Sequence, residues 1–317
     1  MQVASITKIW VSMCFFILQK EHGISVETPV YELLPGFLGE NMDSPLFDKR
    51  KILIRHLMTH TSGFTPEPTP MLDSPEIVNL PVGKQRESVI KNSLVNEPGT
   101  VGTYSDVNYM VLGFIIEEVS GLTLDEFLRL KIVEPMELKD TCYNPDHSKL
   151  GRIVANEYIA AGHELGRPQP IRGFVHDDKA HALNGVAGHA GIFSTLHDMS
   201  LFCDMILNNG VHNGKQIVDS DLLEIARKNH TTHIPNFNRG LGFELNAGSN
   251  MGEFVELPGG SYGHTGFTGT NFAMNDATKS YVLFLTNRTH PNRALGSINH
   301  ARREISRAAV AHIGLKK

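Results

Sequence analysis

Apolar residues recur at helical spacing in five segments of the chain, at residues 9–21, 52–58, 107–120, 124–132 and 199–208. An apolar stripe with this period is typical of a helix that packs against a core. Gly121 follows the third segment and Gly210 lies just beyond the fifth, where helices commonly end. Ser194 or Thr195, with Asp198 beyond it, is a start signal for the fifth segment. The pattern therefore predicts helices through the middle of the chain.

The final third of the sequence has a different pattern. Residues 262–273 and 280–287 are rich in β-branched and aromatic side chains, and the Asn-Asp-Ala-Thr run at 275–278 is typical of a hairpin turn. A last helical segment is predicted at 294–313. We therefore expect an α/β (α+β) fold in which helices cluster mid-sequence and an antiparallel sheet forms near the end.

Long connections rich in proline and glycine separate the helical segments, at residues 61–81, 144–151 and 162–191. Connections of this length are uncommon inside a compact domain and often carry function. The chain has 317 residues, which is enough for one large domain or two modest ones. Its hydrophobic content of 41% is ordinary for a globular protein that buries a sizeable core.

Charge and cysteine content exclude several classes of protein. A net charge of −5 without a basic stripe argues against a nucleic-acid partner. No apolar run reaches the length needed to cross a bilayer. Cys14, Cys142 and Cys203 are odd in number and far apart, so we expect reduced, buried thiols and no disulfide framework.

A serine and a lysine stand one helical turn apart at the head of the first apolar run. At positions i and i+3, the Ser5 hydroxyl and the Lys8 amine would lie side by side. A buried ammonium readily loses its proton, and a neutral amine can accept one from a hydroxyl. The pair is thus the minimum equipment for covalent serine hydrolysis. A second copy of the spacing, Ser88 with Lys91, is predicted to lie on an ordinary surface helix.

The first apolar run has an alternative interpretation. One lysine followed by about ten apolar residues is also typical of a secretory signal peptide. The run ends in Gln-Lys-Glu-His-Gly at 19–23, with no cleavage site of small residues. A helix that is apolar on every side is equally what the centre of a large enzyme requires. The missing cleavage site favours the buried helix.

Two later motifs supply further groups for catalysis. Tyr104 opens a Tyr-Ser-Asp triplet just before the helix predicted at 107–120. A lysine ammonium nearby would lower the pKa of its phenol, which could then act as general base toward Ser5. Residues 263–269 read Gly-His-Thr-Gly-Phe-Thr-Gly. Glycines on a strand let a substrate approach the backbone, whose free N–H groups could hold an oxyanion.

These motifs, in this order and spacing, make the chain resemble the class C β-lactamase-related serine hydrolases. That family comprises penicillin-binding D-alanyl-D-alanine peptidases, β-lactamases and esterases. The resemblance covers nearly the whole chain through Ala-Ser-Ile-Thr-Lys at 4–8, Leu-Met-Thr-His-Thr-Ser-Gly at 57–63, Tyr-Ser-Asp at 104–106, Gly-His-Ala-Gly-Ile-Phe-Ser-Thr at 188–195, His-Thr-Gly at 264–266 and Leu-Thr-Asn-Arg at 285–288.

The resemblance implies a role for each motif. Ser5 would be the acylated nucleophile, Lys8 its electrostatic and proton partner, and Tyr104 the general base. The backbone N–H groups of Ser5 and Phe267 would form the oxyanion hole. The side of the cleft facing the substrate would include Asp106, His264, Thr265, Gly266 and Phe267. The implied substrates are D-alanyl peptides, β-lactams or small esters, with no metal and no organic cofactor.

The resemblance also implies an architecture and a location. We expect a single β-lactamase/transpeptidase-like domain over residues 1–317, with a helical subdomain within about 25–200 and strands mainly in 240–290. Because only four residues precede Ser5, we expect the family's N-terminal strands to be missing from this sequence. Relatives mostly work outside the cytoplasm, although the sequence shows no cleavable leader. The oligomeric state stays open.

Two residues depart from the family pattern. Asp106 stands where many relatives carry asparagine, and a carboxylate only accepts hydrogen bonds where an amide also donates them. That change weighs against ordinary β-lactam recognition. His264 replaces the lysine of true β-lactamases with a side chain that titrates near neutrality. We therefore expect activity on carboxylate substrates to rise as the pH falls toward 6.

Two other functions remain as alternatives. Asp106 and the absent strands favour a catalytically weak protein that binds penicillin or peptidoglycan peptides in the same cleft. A metal-dependent hydrolase would need a site such as His56 and His60, which have the i, i+4 spacing of a helical zinc pair. The glutamate of His-Glu-x-x-His and a third ligand are not identified, so we expect no metal there.

Overall fold

A helix that is buried on all sides runs through the centre of the structure, a computed structural model that describes residues 1–39, 47–159 and 165–313. This helix, α1, spans Thr7–His22 and ends at Gly23, whose φ of 66° is left-handed. Its residues from Thr7 to Phe16 are buried without exception, and Trp10 stacks on Phe202 with ring centroids 3.6 Å apart. The predicted buried helix is confirmed.

Eight further helices follow α1 in the middle region of the described chain. Their bounds are α2 Val30–Leu33, α3 Ile54–Met58, α4 Val82–Ile90, α5 Asp106–Ser120, α6 Leu124–Leu128, α7 Asp178–Ala182, α8 Leu196–Leu207 and α9 Ser220–Ala226. Shorter turns of other helix types occur at Ala4–Ile6, Lys49–Lys51, Arg129–Val133 and His147–Arg152. Helix α5 packs against α1, α3, α4 and α6.

The predicted helix ends are mostly confirmed. Thr195 caps α8 by accepting a hydrogen bond from the Asp198 N–H, and Gly121 ends α5 with a φ of 70°. The segment predicted from residue 52 becomes helical only at Ile54, because Ile52 and Leu53 are extended. Residues 162–164, part of one predicted connection, lie outside the described residues.

An antiparallel sheet packs beside the helices. A small hairpin pairs β1 (Val211–His212) with β2 (Lys215–Gln216). The larger sheet has the order β3 Glu244–Leu245, β4 Tyr262–Thr265, β5 Asn271–Asn275 and β6 Ser280–Phe284. The α/β (α+β) class, with an antiparallel sheet flanked by helices, is thereby confirmed.

The prediction of one continuous strand over 262–273 is wrong, because the chain reverses direction within this segment. Strands β4 and β5 pair antiparallel, with Thr265 opposite Asn271. The reversal is a tight turn in which the Gly269 N–H donates to the Gly266 carbonyl at 3.0 Å. Gly269 has a φ of 108°, a conformation that glycine adopts without strain. The β-branched composition alone did not reveal this turn.

The next turn and the last helix complete the sheet region. Asn275 accepts hydrogen bonds from the backbone N–H and the hydroxyl of Thr278, both at 2.8 Å, which confirms the predicted hairpin turn. Helix α10 (Gly248–Met251) and a turn at Gly252–Glu256 lead into β4. Helix α11 spans Asn299–Ile313 and packs on β6. The predicted start of this helix at 294 is wrong, because the backbone at Gly296, with a φ of 93°, is not helical.

Two sequence expectations concern the chain as a whole. The three cysteines are free thiols, as predicted, and Cys14 and Cys203 are buried; the predicted burial of Cys142 is wrong, because its side chain is only half-buried. In the described part of the chain no single helix is long and apolar enough to cross a membrane; the pair Asp106–Ser120 and Leu124–Val133 meets the length and composition together, but it is bent by 77°.

Candidate active site

Ser5 lies where the N-terminal segment turns into α1. The residue before it, Ala4, has a φ of 49°, so the backbone is in the left-handed region directly ahead of the candidate nucleophile. Val3 fixes this turn, since its N–H donates to the Ile192 carbonyl and its carbonyl accepts from the Thr270 hydroxyl, each at 3.0 Å. The strained backbone is thus held by groups from both the helical region and the sheet.

Lys8 faces Ser5 from the first turn of α1 and is fully buried. Its Nζ donates to the Ser5 Oγ at 3.0 Å and to the His189 carbonyl at 3.0 Å, and it lies 2.8 Å from the Asp106 Oδ1. Burial alone would lower the pKa of Lys8, but Asp106 and Tyr104 outweigh burial and raise it above its ordinary value. The Asp106 carboxylate at 2.8 Å thus favours the ammonium form of Lys8, opposite to the expected loss of its proton.

Tyr104 completes the group around Ser5. Its ring centroid lies 4.9 Å from the Lys8 Nζ, and its phenol is close enough to Ser5 and Lys8 for both groups to lower its pKa. Burial raises the pKa of Tyr104, and Asp106 raises it further, whereas Lys8 and Ser5 lower it. The net shift is upward, so the expected fall in this pKa is wrong. The predicted meeting of hydroxyl, amine and phenol is present.

His60 holds the loop that carries Tyr104. Its carbonyl accepts from the Thr103 N–H at 2.9 Å, its Nδ1 accepts from the Ser105 N–H at 3.1 Å, and its ring lies 4.4 Å from the Tyr104 ring. His60 lies beyond the end of α3, so it does not share a helix face with His56. The Nδ1 atoms of both histidines accept backbone N–H groups, which leaves the zinc-pair interpretation without support.

His264 lies on β4, on the opposite side of the cleft. Its Nδ1–H donates to the Thr265 carbonyl at 2.7 Å, and its Nε2 is buried without a hydrogen-bond partner among the described residues. Burial lowers the pKa of His264 to about 4, assisted by Lys8 and Arg239 and opposed by Glu244. The expectation that His264 becomes a cation near pH 6 is therefore wrong, because burial keeps the imidazole neutral.

The turn after β4 approaches the Ser5 segment closely. A Cβ placed on Gly266 would lie 2.4 Å from the Val3 carbonyl oxygen, so only glycine fits there. Within the described residues, the N–H groups of Ser5 and Phe267 donate to no other protein group. Two free N–H groups beside a hydroxyl can stabilise a developing oxyanion.

A cavity of about 620 Å³ opens beside β4 and is lined by Tyr104, His264 and three arginines. The Nη2 of Arg239 pairs with Glu244 at 3.2 Å, and its Nη1 is buried without a hydrogen-bond partner in the described chain. Arg302 likewise has a buried Nε that donates to no described group. Three arginines around one cavity favour a substrate with an anionic group.

Asp106, expected to face the substrate, lies between two lysines. Its Oδ1 is 2.8 Å from Lys8, and its Oδ2 is 3.1 Å from Lys179, a residue that the sequence analysis did not identify. Ligand atoms of Asp106, Asp177 and His189 lie within 4.8 Å of one another, a spacing that could suit a metal ion. Because two ammonium groups already neutralise Asp106, we interpret this cluster as an ion-pair network.

The sequence profile of the Beta-lactamase family matches residues 1–307 of this chain. The chain belongs to the beta-lactamase family. It is 32% identical to a protein of Salmonella enteritidis PT4, over 94% of this chain and 71% of the relative, and that relative is named as a candidate D-alanyl-D-alanine carboxypeptidase. Homology at this level makes the protein a serine hydrolase.

Solved structures of this family share the fold. A beta-lactamase/D-alanine carboxypeptidase from Pseudomonas syringae superposes with a TM-score of 0.72 at 17% identity, over 98% of this chain and 84% of that one. A protein of the same description from Yersinia pestis gives 0.70 at 20% identity, over 99% and 83%. The helices and the antiparallel sheet described above are therefore those of a beta-lactamase-family enzyme.

Proposed function

We propose that the protein cleaves D-alanyl peptides at their carboxyl end through an acyl-enzyme formed on Ser5. The observation that carries the proposal is the meeting of three groups that are remote in sequence. Ser5 Oγ lies 3.0 Å from the Lys8 ammonium, and the Tyr104 phenol adjoins both. A hydroxyl in contact with a fixed cation and a potential base has the equipment of a covalent nucleophile.

In the proposed acylation, Tyr104 is the base. The phenolate accepts the Ser5 proton, and the Ser5 Oγ forms a bond to the carbonyl carbon. Lys8 stays protonated throughout, since Asp106 and Tyr104 raise its pKa. Its charge favours the phenolate over the phenol and so stabilises the reactive form of the pair. Such general-base assistance contributes about 10²–10⁴-fold to a rate.

The remaining steps use the same groups. The N–H groups of Ser5 and Phe267 hold the oxyanion, and each such donor is worth about 10²–10³-fold in kcat. When the intermediate collapses, the carbon–nitrogen bond breaks and Tyr104 returns its proton to the leaving amine. Water then attacks the ester with its proton passing to Tyr104, and that proton returns to Ser5 as the acid product leaves.

The substrate class follows from the cavity beside β4. A terminal D-alanine would leave through this cavity with its carboxylate near Arg239, one of the arginines that line it. His264 is neutral, so its Nε2 can accept a hydrogen bond from the leaving amide instead of binding the carboxylate. The name of the Salmonella enteritidis relative supports the same substrate.

The test measures release of D-alanine from a peptide that ends in D-alanyl-D-alanine, and release of D-alaninamide from the same peptide with an amidated end. Wild-type enzyme should prefer the free acid, and Ser5→Ala should release nothing. Arg239→Met should reduce the acid rate about 10–100-fold while changing the amide rate little, because a hydrogen bond to a charged group contributes about 1.5–3 kcal/mol.

The same assay identifies the other functions. Equal rates on acid and amide, with p-nitrophenyl acetate turned over faster than either, would make the protein a small-ester hydrolase. Labelling by fluorescent penicillin without peptide turnover would favour a β-lactam substrate. Folded wild-type protein that gives no adduct and no turnover would instead be a weak binder of such peptides, and the proposal would be wrong.

A further inference from the structure

The Asp106 carboxylate is shared between two lysines from different parts of the chain. Lys8 lies on α1 and contacts the Oδ1 at 2.8 Å, whereas Lys179 lies on α7 and contacts the Oδ2 at 3.1 Å. The Lys8 side chain is fully buried and that of Lys179 is 11% exposed. The added negative charge at position 106 is therefore matched by a nearby second cation.

Lys179 has further partners that fix its position. Its Nζ lies 2.7 Å from the Glu67 Oε2 and 3.6 Å from the Asp177 Oδ2. The Asp177 Oδ1 accepts the Nε2–H of His189 at 2.9 Å, and the His189 carbonyl accepts from Lys8 at 3.0 Å. These contacts close a ring that runs through Lys8, Asp106, Lys179, Asp177 and His189.

We propose that Lys179 is a positioning residue of the active site: it holds Asp106 in place as a carboxylate, and its charge sets the pH at which Ser5 becomes nucleophilic. The inference rests on the proposed role of Ser5, and it assigns Lys179 no contact with the substrate. Asp106 accordingly acts on the catalytic groups through Lys8, and its own carboxylate is not the site of substrate binding.

The physical reason is the charge balance around Lys8 and Tyr104. Ser5 reacts when Lys8 and Tyr104 together have lost one proton. The negative charge of Asp106 opposes that loss because it raises the pKa of both groups. Lys179 opposes Asp106 from its other side, so loss of Lys179 makes the pair harder to deprotonate. The charge of Lys179 is separated from Lys8 and Tyr104 by the Asp106 carboxylate. At an effective dielectric constant of about 20, a charge at that distance shifts the pKa of the pair by about one unit, which changes the rate about tenfold.

Other charges also face these groups. Arg239, His60 and His264 face the Tyr104 side, and Glu244 offsets Arg239. On the Lys179 side, Glu67 and Asp177 add two more carboxylates. Both histidines have lowered pKa values because they are buried, so they stay neutral where the experiment is done. The ionic changes made by the variants below are therefore confined to the ring.

The experiment measures the rate at which a fluorophosphonate probe labels Ser5, between about pH 6 and pH 10. Lys179→Met should react about tenfold more slowly than wild type at neutral pH, and Asp106→Asn should react faster. The double variant Asp106→Asn/Lys179→Met should return to within about threefold of wild type, because the two lost charges cancel. Lys179→Arg keeps the charge and should also stay within about threefold.

Lys131→Met is the matched control, because Lys131 is paired with Glu21 at 2.6 Å on the surface. It should label like wild type, and thermal melting should show that all variants fold. A Lys179→Met rate equal to that of Lys131→Met would overturn the proposal. The proposal would also be overturned if Lys179→Met labels slowly and the rate is restored neither in Lys179→Arg nor in the double variant Asp106→Asn/Lys179→Met. That pattern is expected of a purely structural residue.

A separate readout covers failure of the proposed function. Should wild-type Ser5 not react with the probe, the role of Ser5 is wrong, and the effect of Lys179 is then read from the ultraviolet absorbance of tyrosinate. The difference between each protein and its Tyr104→Phe variant isolates the Tyr104 phenol. Lys179→Met should move that titration to higher pH, and an unchanged titration would contradict the inference.

Discussion

At the scale of single residues, the site is governed by burial and by neighbouring charges more than by residue type. Lys8 is buried, yet its pKa is raised because Asp106 and Tyr104 lie against it. His264 is the opposite case, since burial outweighs the nearby Glu244 and lowers its pKa to about 4. The protein thereby widens the gap between two side chains whose pKa values in water already differ by about four units.

The first prediction concerns the phenol. Tyr104→Phe should lower the acylation rate at least about a hundredfold, because the general base is removed. Tyr109→Phe is the matched control: its ring also lies near Lys8, at 5.9 Å, but its hydroxyl is bonded to Ser12 at 3.0 Å. That variant should stay within about fivefold of wild type. Similar losses in both variants, measured by stopped-flow acylation, would contradict the role of Tyr104.

The pH dependence gives a second prediction. The reactive form requires loss of a proton from a pair, Lys8 and Tyr104, whose pKa values are both raised. The kcat/KM for an ester should therefore increase with pH, roughly tenfold per unit below the midpoint, through pH 7 to 9. His264→Gln should show the same dependence between pH 5 and 8. A maximum of kcat/KM near pH 6 that disappears in His264→Gln would instead show that His264 titrates near neutral pH.

The sequence predicted part of this site and missed the rest for a definite reason. Ser5 and Lys8 lie one helical turn apart, so local spacing was enough to bring them together. Tyr104 required recognition of a motif about 100 residues away. Lys179 and Arg239 belong to no such pattern, and their importance depends on contacts between separate loops and on unpaired atoms. The pKa directions needed burial, which residue spacing does not supply.

At the scale of elements, two close backbone approaches hold the site together. Helix α5 carries Gly113, which faces Gly188 on the loop that supplies the His189 carbonyl to Lys8. The turn between β4 and β5 meets Val3 at Gly266. Periodicity predicted α1 and α5 well because both are long and apolar. It missed the reversal between β4 and β5 because two strands of like composition follow each other directly.

The contact between α5 and the loop before His189 gives a third prediction. A Cβ on Gly188 would lie 1.9 Å from the Tyr109 carbonyl oxygen, so Gly188→Ala must displace the loop or the helix. The expected loss in the free energy of unfolding is about 1–3 kcal/mol, measured by urea denaturation.

Gly151→Ala is the control for this change, because a Cβ there meets nothing within 4 Å. It should change the stability by less than about 0.5 kcal/mol. Neither glycine has a left-handed backbone, so the comparison isolates the steric effect. Equal stabilities of the two variants would show that α5 and the loop are not tightly packed.

At the scale of the whole molecule, the candidate site lies where the helical region meets the sheet. Ser5 comes from the turn before the central helix and Lys8 from the helix itself, whereas Tyr104 comes from the loop before α5 and His264 from β4. The N-terminal segment joins the two regions, since the Val3 N–H bonds to Ile192 and the Thr268 hydroxyl donates to the Gln2 carbonyl at 2.9 Å. The helical region thus supplies the hydroxyl, the amine and the phenol, and the sheet supplies the imidazole of His264.

The most direct test of this account is the intact mass of the protein after brief reaction with an activated ester or with penicillin, quenched in acid. We predict one acyl group per chain, located by peptide mapping on Ser5, which is absent from Ser5→Ala and retained in Ser88→Ala, the second serine with the same lysine spacing. An adduct that persists in Ser5→Ala, or none in folded wild-type protein with either reagent, would contradict the account.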